Sequence, residues 1–175
     1  MIYKFTKLFA DYEKEEKWLN EMSQKGYAFK GYSPFRYTFE DEEPSKYTYR
    51  IQLLENLPSH VDSVNYIEFC EELGVDVVDT SGRWVYFRKL SKDGIFEIHS
   101  DLESKIKHHK SIRAITSISA ISNFVIAMSN FTIGIITKFN LWFGLVSFLV
   151  FIGLAALSYK QHLRIKEIES EQLID

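Results

Sequence analysis

Residues 18–39 read WLNEMSQKGYAFKGYSPFRYTF, and residues 66–86 read YIEFCEELGVDVVDTSGRWVY. Trp18-Leu19, Met22 and Gly26, followed by Arg36-Tyr37-Thr38-Phe39, match Tyr66-Ile67, Cys70 and Gly74, followed by Arg83-Trp84-Val85-Tyr86, with a single one-residue offset in the turn. In both stretches apolar residues at helical spacing run into a glycine, placed where a left-handed C-terminal cap is wanted, and then into period-two alternation. Alternating segments also stand ahead of each helix, at Tyr3-Lys4-Phe5 and at Tyr47-Thr48-Tyr49-Arg50. The order strand, helix, strand, strand thus occurs twice. With the helices on one sheet face, the expected fold is α+β, a two-layer sandwich.

Working outward, each element has its own signal. Asp11 is expected to cap the first helix, whose Glu15, Trp18, Leu19 and Met22 share one face. Ser59 is expected to cap the second, with Asp62 three residues on and Tyr66, Ile67, Phe69, Cys70 and Leu73 forming a broad apolar face. Phe35, Tyr37 and Phe39 alternate with Arg36, Thr38 and Glu40, as Tyr47, Tyr49, Ile51 and Leu53 do with Thr48, Arg50 and Gln52, the pattern of half-buried strands. Ser33-Pro34 and Ser81-Gly82 supply turns, and residues 41–45 a solvated loop between the halves.

Beyond this domain lie two charge-free apolar stretches, Ala114 to Thr137 and Phe139 to Tyr159, separated by Lys138. About 20 helical residues cross a ~30 Å hydrocarbon core, so each is long enough to span a membrane. The expected organisation is a cytoplasmic domain over 1–96, a juxtamembrane amphipathic helix over 97–113, two spans within 114–159 and a cytoplasmic tail over 160–175. Ser100-Asp101-Leu102-Glu103 has the spacing of a capping box for the amphipathic helix. Lys105, Lys107, Lys110 and Arg113 precede the first span and Lys160, Arg164 and Lys166 follow the second, which places both flanks in the cytoplasm by the positive-inside rule. The N-terminal residues turn charged at once and lack the apolar core of a signal peptide. A lone Cys70, at an apolar helical position, excludes an intrachain disulfide and reads as buried and inert.

Asn123 and Asn130 stand seven residues apart on one face of the first span, where lipid offers no partner; they are expected to hold the hairpin or a homo-oligomer together. Gly144, Ser147 and Gly153 on the second span are expected to allow close approach. An oligomeric polar path lined by the asparagines is the competing reading.

In the domain, Glu15 is the one carboxylate on an apolar helix face, with Ser63 at the matching position of the second half. A carboxylate beside Trp18 is a candidate to hold a cation or to act as a base with a raised pKa, against a merely structural place at a helix start. Trp18, Tyr37, Tyr49 and Trp84 complete a candidate aromatic cleft for a small amphipathic ligand or a cytosolic partner protein, although most aromatics must serve as core. Aromatic residues make up 15% of the chain, several beside arginines, yet residues 1–111 hold 16 Lys and Arg against 20 Asp and Glu, which repels phosphate; nucleic acid is not an expected partner. None of the five histidines, His60, His99, His108, His109 and His162, falls near a Ser or Cys in a position that suggests a nucleophile, and His99, His108 and His109 are joined by no cysteine or well-spaced carboxylate that would complete a metal site. No catalytic residue, metal or cofactor is expected.

Tyr3-Lys4-Phe5, the run from Glu13 to Met22, Lys25-Gly26-Tyr27, Tyr49-Arg50-Ile51, Tyr66-Ile67-Glu68-Phe69 and the run from Arg83 to Lys89 together resemble the bacterial family catalogued as domain of unknown function 2812. The resemblance extends over about Ile2 to Arg113. It implies an origin mostly among Gram-positive bacteria, C-terminal spans, and frequent encoding beside a regulator resembling the phenolic-acid-response (PadR) repressors; it brings no activity. The element order is also similar to small-molecule-binding domains of the gyrase-inhibitor-like type, at the level of fold alone. The expected role is a membrane-anchored sensor or interaction domain, the alternative a membrane accessory, small-transport or stress protein whose hairpin oligomerises.

Overall fold

Gly26 (φ +86°) and Gly74 (φ +75°) each lie one residue past a helix C-cap, at Lys25 and Leu73, and turn the chain from a helix into a strand. In the computed structural model, which describes residues 1–96, 102–135 and 138–172, the N-terminal elements are β1 (Ile2–Thr6), α1 (Tyr12–Gln24), β2 (Tyr27–Ser33), β3 (Arg36–Asp41), β4 (Tyr47–Leu53), α2 (Val61–Glu72), β5 (Val75–Ser81) and β6 (Trp84–Leu90). Residues Met1–Ile98 form one compact unit and His99–Asp175 another.

Both halves of the first unit share one element order and one strand order. β3 is central in the antiparallel sheet β1-β3-β2, and β6 in the antiparallel sheet β4-β6-β5. There are two three-stranded sheets where one was expected. The facing edges explain why: β2 and β5 each carry a bulge four residues after the glycine, between Phe29 and Gly31 and between Val77 and Asp79. A bulge interrupts the row of edge groups that a further ladder would need. The two edges are joined by a side chain instead, Asp79 Oδ2 accepting the Tyr32 N–H at 2.6 Å.

The register also removes the offset inferred in the turn. Ser33 pairs with Arg36 and Ser81 with Trp84, so the turn residues are Pro34-Phe35 and Gly82-Arg83, and Arg36 corresponds to Trp84. At the helix starts, Asp11 accepts the Glu13 N–H as expected, whereas α2 is capped by His60, whose Nδ1 accepts the Asp62 N–H at 3.3 Å, and not by Ser59. His60 is the residue in extended conformation directly before the first helical turn.

Two cores result. α1 inserts Leu19 and Met22 among Phe29, Tyr37, Phe39, Tyr49, Ile51 and Tyr86. α2 packs Cys70, with Tyr66 and Ile67 beside it, against Leu54, Val75, Val85, Phe87 and Phe96; Phe69 and Leu73 of its expected apolar face are exposed. As central strand, β6 serves both, sending Tyr86 to the first core and Val85 and Phe87 to the second.

A polar stripe on α1 has a separate role. Glu16, Asn20 and Ser23 fall on one face and bond the outer edge of β4. Glu16 Oε2 accepts the Ile51 N–H (2.9 Å), Asn20 accepts the Tyr49 N–H (2.8 Å) and donates to the Tyr49 carbonyl (3.0 Å), and Ser23 donates to the Tyr47 carbonyl (2.6 Å). Backbone groups that would sit open on an edge strand are thereby satisfied.

The second unit is a pair of helices, α3 (Leu102–Gly134) and α4 (Lys138–Gln172), of 33 and 35 residues. Both are long and apolar enough to cross a membrane, with mean hydropathy of 1.4 and 2.3 over their most apolar windows. The basic segment before the first apolar stretch and the segment after the second are continuous with these helices. Ser100 and Asp101 of the capping box lie outside the described residues.

Candidate functional site

Glu15 lies in the first turn of α1, and its Oε1 accepts two phenol hydroxyls, from Tyr37 at 2.8 Å and from Tyr86 at 2.7 Å. Tyr37 comes from β3 and Tyr86 from β6, so one carboxylate oxygen joins the central strands of both sheets. Burial pushes the Glu15 pKa above the ordinary carboxylate value, and the two hydroxyls partly offset that by stabilising the anion. Both phenols are held well above their usual range, first by burial and then by the carboxylate they donate to.

Aromatic rings surround this oxygen. Tyr32 stacks on Tyr86 (centroids 5.7 Å apart) and lies 5.1 Å from Tyr37, Trp18 meets Tyr37 edge-on at 4.9 Å, and Phe9 bridges Trp18 and Tyr37. One turn before Glu15, Tyr12 packs on Trp84 at 5.4 Å. Lys7 Nζ lies 4.7 Å from the Trp18 ring centre, so this shell already holds one cation against a π face.

Of the residues expected to form the site, Glu15, Trp18 and Tyr37 come together, and Trp84 joins through Tyr12. Trp18 and Trp84 are half-buried, while Tyr37 and Tyr49 are core residues, 2% and 0% exposed. Tyr49 serves elsewhere, its hydroxyl oxygen accepting the Phe29 N–H at 2.8 Å, and burial raises its pKa to about 12. Tyr86, Tyr32 and Tyr12 belong to the site although the sequence pattern does not single them out. Among the described residues no cluster of three or more His, Cys, Asp or Glu side chains is placed to hold a metal. Cys70 is buried, and burial pushes its thiol up.

In the helix pair, the asparagine amides turn inward on their own helix. Asn123 donates to the Ser119 carbonyl (3.0 Å) and Asn130 to the Ile126 carbonyl (2.9 Å). Other residues bond α3 to α4, among them Ser117 Oγ to Ser158 Oγ and His109 Nδ1 to Gln161 Oε1, both 2.6 Å, and Lys110 to Glu169 at 3.6 Å. Close approach is real at Gly144, where a Cβ would lie 2.6 Å from the Phe131 ring, and at Gly134 against Leu141; Gly153 meets nothing within 4 Å. Ser147 is half-buried.

Residues 11–121, well over half of the chain, match the family described as "Protein of unknown function (DUF2812)". The chain belongs to the DUF2812 family. The match takes in Glu15, Tyr37 and Tyr86 and continues into α3. No curated protein and no solved structure matches the chain.

Proposed function

We propose that this DUF2812 protein is a membrane-anchored cytoplasmic sensor whose N-terminal unit binds a small amphipathic organic cation beside Glu15. The observation that carries the reading is the Glu15 oxygen shared by Tyr37 and Tyr86 within a shell of aromatic rings. A half-buried carboxylate among π faces favours a ligand that combines positive charge with apolar surface. Because Glu15 links both sheets, a cation that draws the carboxylate away from either phenol changes how the halves are held. In this reading that change is what a cytosolic partner, such as a PadR-like regulator, would detect.

Titration of the detergent-purified full chain, in a Trp142→Phe background, with tetraphenylphosphonium tests this through the fluorescence of Trp18 and Trp84. Saturable quenching is expected, with none from tetraphenylborate, which has nearly the same shape and the opposite charge. Glu15→Gln keeps an acceptor for both phenols and should abolish the response. Equal quenching by both ions, or an unchanged response in Glu15→Gln, overturns the proposal.

The membrane part of the proposal rests on α3 and α4, whose outer surfaces expose large apolar side chains, Ile118 and Ile121 of α3 and Trp142 of α4 among them, each at more than 60%. With basic flanks inside, Asn140 faces outward and Ser170 the cytoplasm. On intact cells an impermeant thiol reagent should label Asn140→Cys and not Ser170→Cys in a Cys70→Ala background; the reverse pattern sinks the orientation. A second reading, an accessory protein that works by oligomerising through the hairpin, is favoured by Asn123 and Asn130, which make no hydrogen bond to α4 among the described residues. Replacing both with Leu would then change the oligomeric state in detergent.

A further inference from the structure

Where the apolar stretches of α3 and α4 give way to their basic ends, a groove of about 330 Å³ opens between the helices, lined by Arg113, Ser117, Ala120 and Ile121 of α3 and by Ala155, Ser158, Tyr159 and His162 of α4. Its two ends differ in chemistry. Arg113 and His162 stand at one end; Ala120, Ile121 and Ala155, two of them lacking side chain beyond Cβ, form an apolar channel at the other. On α3 the distance from Arg113 to Ala120 and Ile121 is about 10–12 Å at 1.5 Å per residue, more than the roughly 5–8 Å of headgroup region in one leaflet, so a phosphate held at Arg113 leaves the start of an acyl chain beside Ala120 and Ile121.

The polar end is under-satisfied by the chain itself. His162 Nδ1 is buried and has no hydrogen-bond partner among the described residues. Arg113 makes no ion pair among them either, while the nearby acids are engaged, Glu169 with Lys110 at 3.6 Å and Glu167 with Arg164 at 2.9 Å. The serines contribute one bond to each other across the groove, leaving lone pairs and a proton free to turn. A buried imidazole nitrogen without a partner costs free energy that a ligand oxygen would recover. Guanidinium, imidazole and hydroxyl groups above an apolar channel match an anionic phosphate ester carrying hydrocarbon chains.

We propose that this groove is a binding site for an anionic phospholipid, its phosphate on Arg113 and His162 and one acyl chain along Ala120, Ile121 and Ala155. The assignment rests on the reading of α3 and α4 as membrane-spanning, and it places the lipid in the leaflet on the basic side of the hairpin. Tyr159, largely exposed at the groove mouth, sits at the depth where amphipathic rings collect.

The test is native mass spectrometry of the delipidated full chain in detergent with phosphatidylglycerol, phosphatidylcholine or inorganic phosphate at equal concentration. Phosphatidylglycerol adducts should exceed phosphatidylcholine adducts, and inorganic phosphate should neither bind nor compete. Arg113→Gln with His162→Leu should lower phosphatidylglycerol retention by about fivefold or more, whereas Lys166→Gln, which removes a charge outside the groove, should leave it unchanged. Ile121→Trp fills the apolar channel from an exposed position and should lower retention with the basic residues intact. Equal retention of both lipids, equal loss in Lys166→Gln, or competition by inorganic phosphate alone overturns the site. Alkaline extraction of cell membranes scores the underlying reading separately: a chain released into the supernatant refutes membrane insertion, and a chain retained without lipid preference refutes only the groove.

Discussion

The two halves of the N-terminal unit share their element order and strand order, yet their helices are used differently. α1 crosses from its own half into the other, binding the β4 edge through Glu16, Asn20 and Ser23 and reaching Tyr86 through Glu15. α2 packs mainly against the sheet of its own half; the positions matching that stripe, Val64, Glu68 and Glu71, are exposed, and the counterpart of Glu15, Ser63, is buried and uncharged. One scaffold therefore carries one joining helix and one supporting helix. Polar side chains on a helix need not be a solvated face; where an edge strand lies beside them they replace a ladder.

The sharpest way to break this comparison is at the cores. Leu19→Ala removes a fully buried side chain from the larger, aromatic core and should cost about 2–5 kcal/mol, against about 1 kcal/mol for Cys70→Ala on α2. Urea unfolding of the detergent-solubilised chain, followed through Trp18 and Trp84 in a Trp142→Phe background, measures both. Equal costs would show that the halves bear equal weight. Next in size, Asn20→Ala strands the Tyr49 backbone groups and should cost about 1–3 kcal/mol, whereas Glu68→Ala at the matching place on α2 should stay within about 0.5 kcal/mol.

The pH dependence sharpens the contrast between Glu15 and Ser63. A carboxyl with a raised folded-state pKa binds more protons folded than unfolded, so its contribution to stability is greatest below the unfolded value and is lost as pH rises through the folded one. Stability of the native chain minus that of Glu15→Gln should therefore fall as pH rises from the ordinary glutamate range into the raised one. A difference that rises instead would mean the phenol hydrogen bonds outweigh burial. Glu16, also raised by burial and partly relieved by the Ile51 N–H and by Arg50, gives a slope of the same sign that Glu15→Gln leaves in place. The smallest effect belongs to the caps: Asp11→Ala should cost about 1 kcal/mol and His60→Ala less than half of that, since an exposed imidazole at 3.3 Å is the weaker acceptor.

Much of this architecture is readable in the residues. Gly26 and Gly74 mark both helix ends because few other residues accept their φ, and the alternation around Tyr37 and Tyr49 marks half-buried strands. Glu15 stands out as a charge on an apolar face. Its partner Tyr86 does not, because Trp84-Val85-Tyr86-Phe87 is apolar at every position: a central strand with a core on each side loses the alternation that tells one face from the other. The division into two sheets is harder to read, since the bulge at Val78 carries no distinctive residue and the one at Lys30 is marked only by the neighbouring Gly31. Asn123 and Asn130 look like interhelical glue, but an asparagine in a helix can satisfy its amide on the carbonyl four residues back, and spacing does not distinguish the two uses.

The cover on β4 also bears on how the chain is made. The side chains that close this edge precede their backbone partners by 29 residues at Asn20 and 35 at Glu16, so α1 leaves the ribosome well before the strand it serves. Until β4 emerges, a nascent chain holding β1, α1, β2 and β3 shows water an aromatic surface whose remaining wall, Tyr49, Ile51 and Tyr86, is still to be synthesised. The first half alone therefore lacks the wall that closes its core, and a fragment ending in the 42–46 loop is expected to aggregate rather than to fold as a smaller domain.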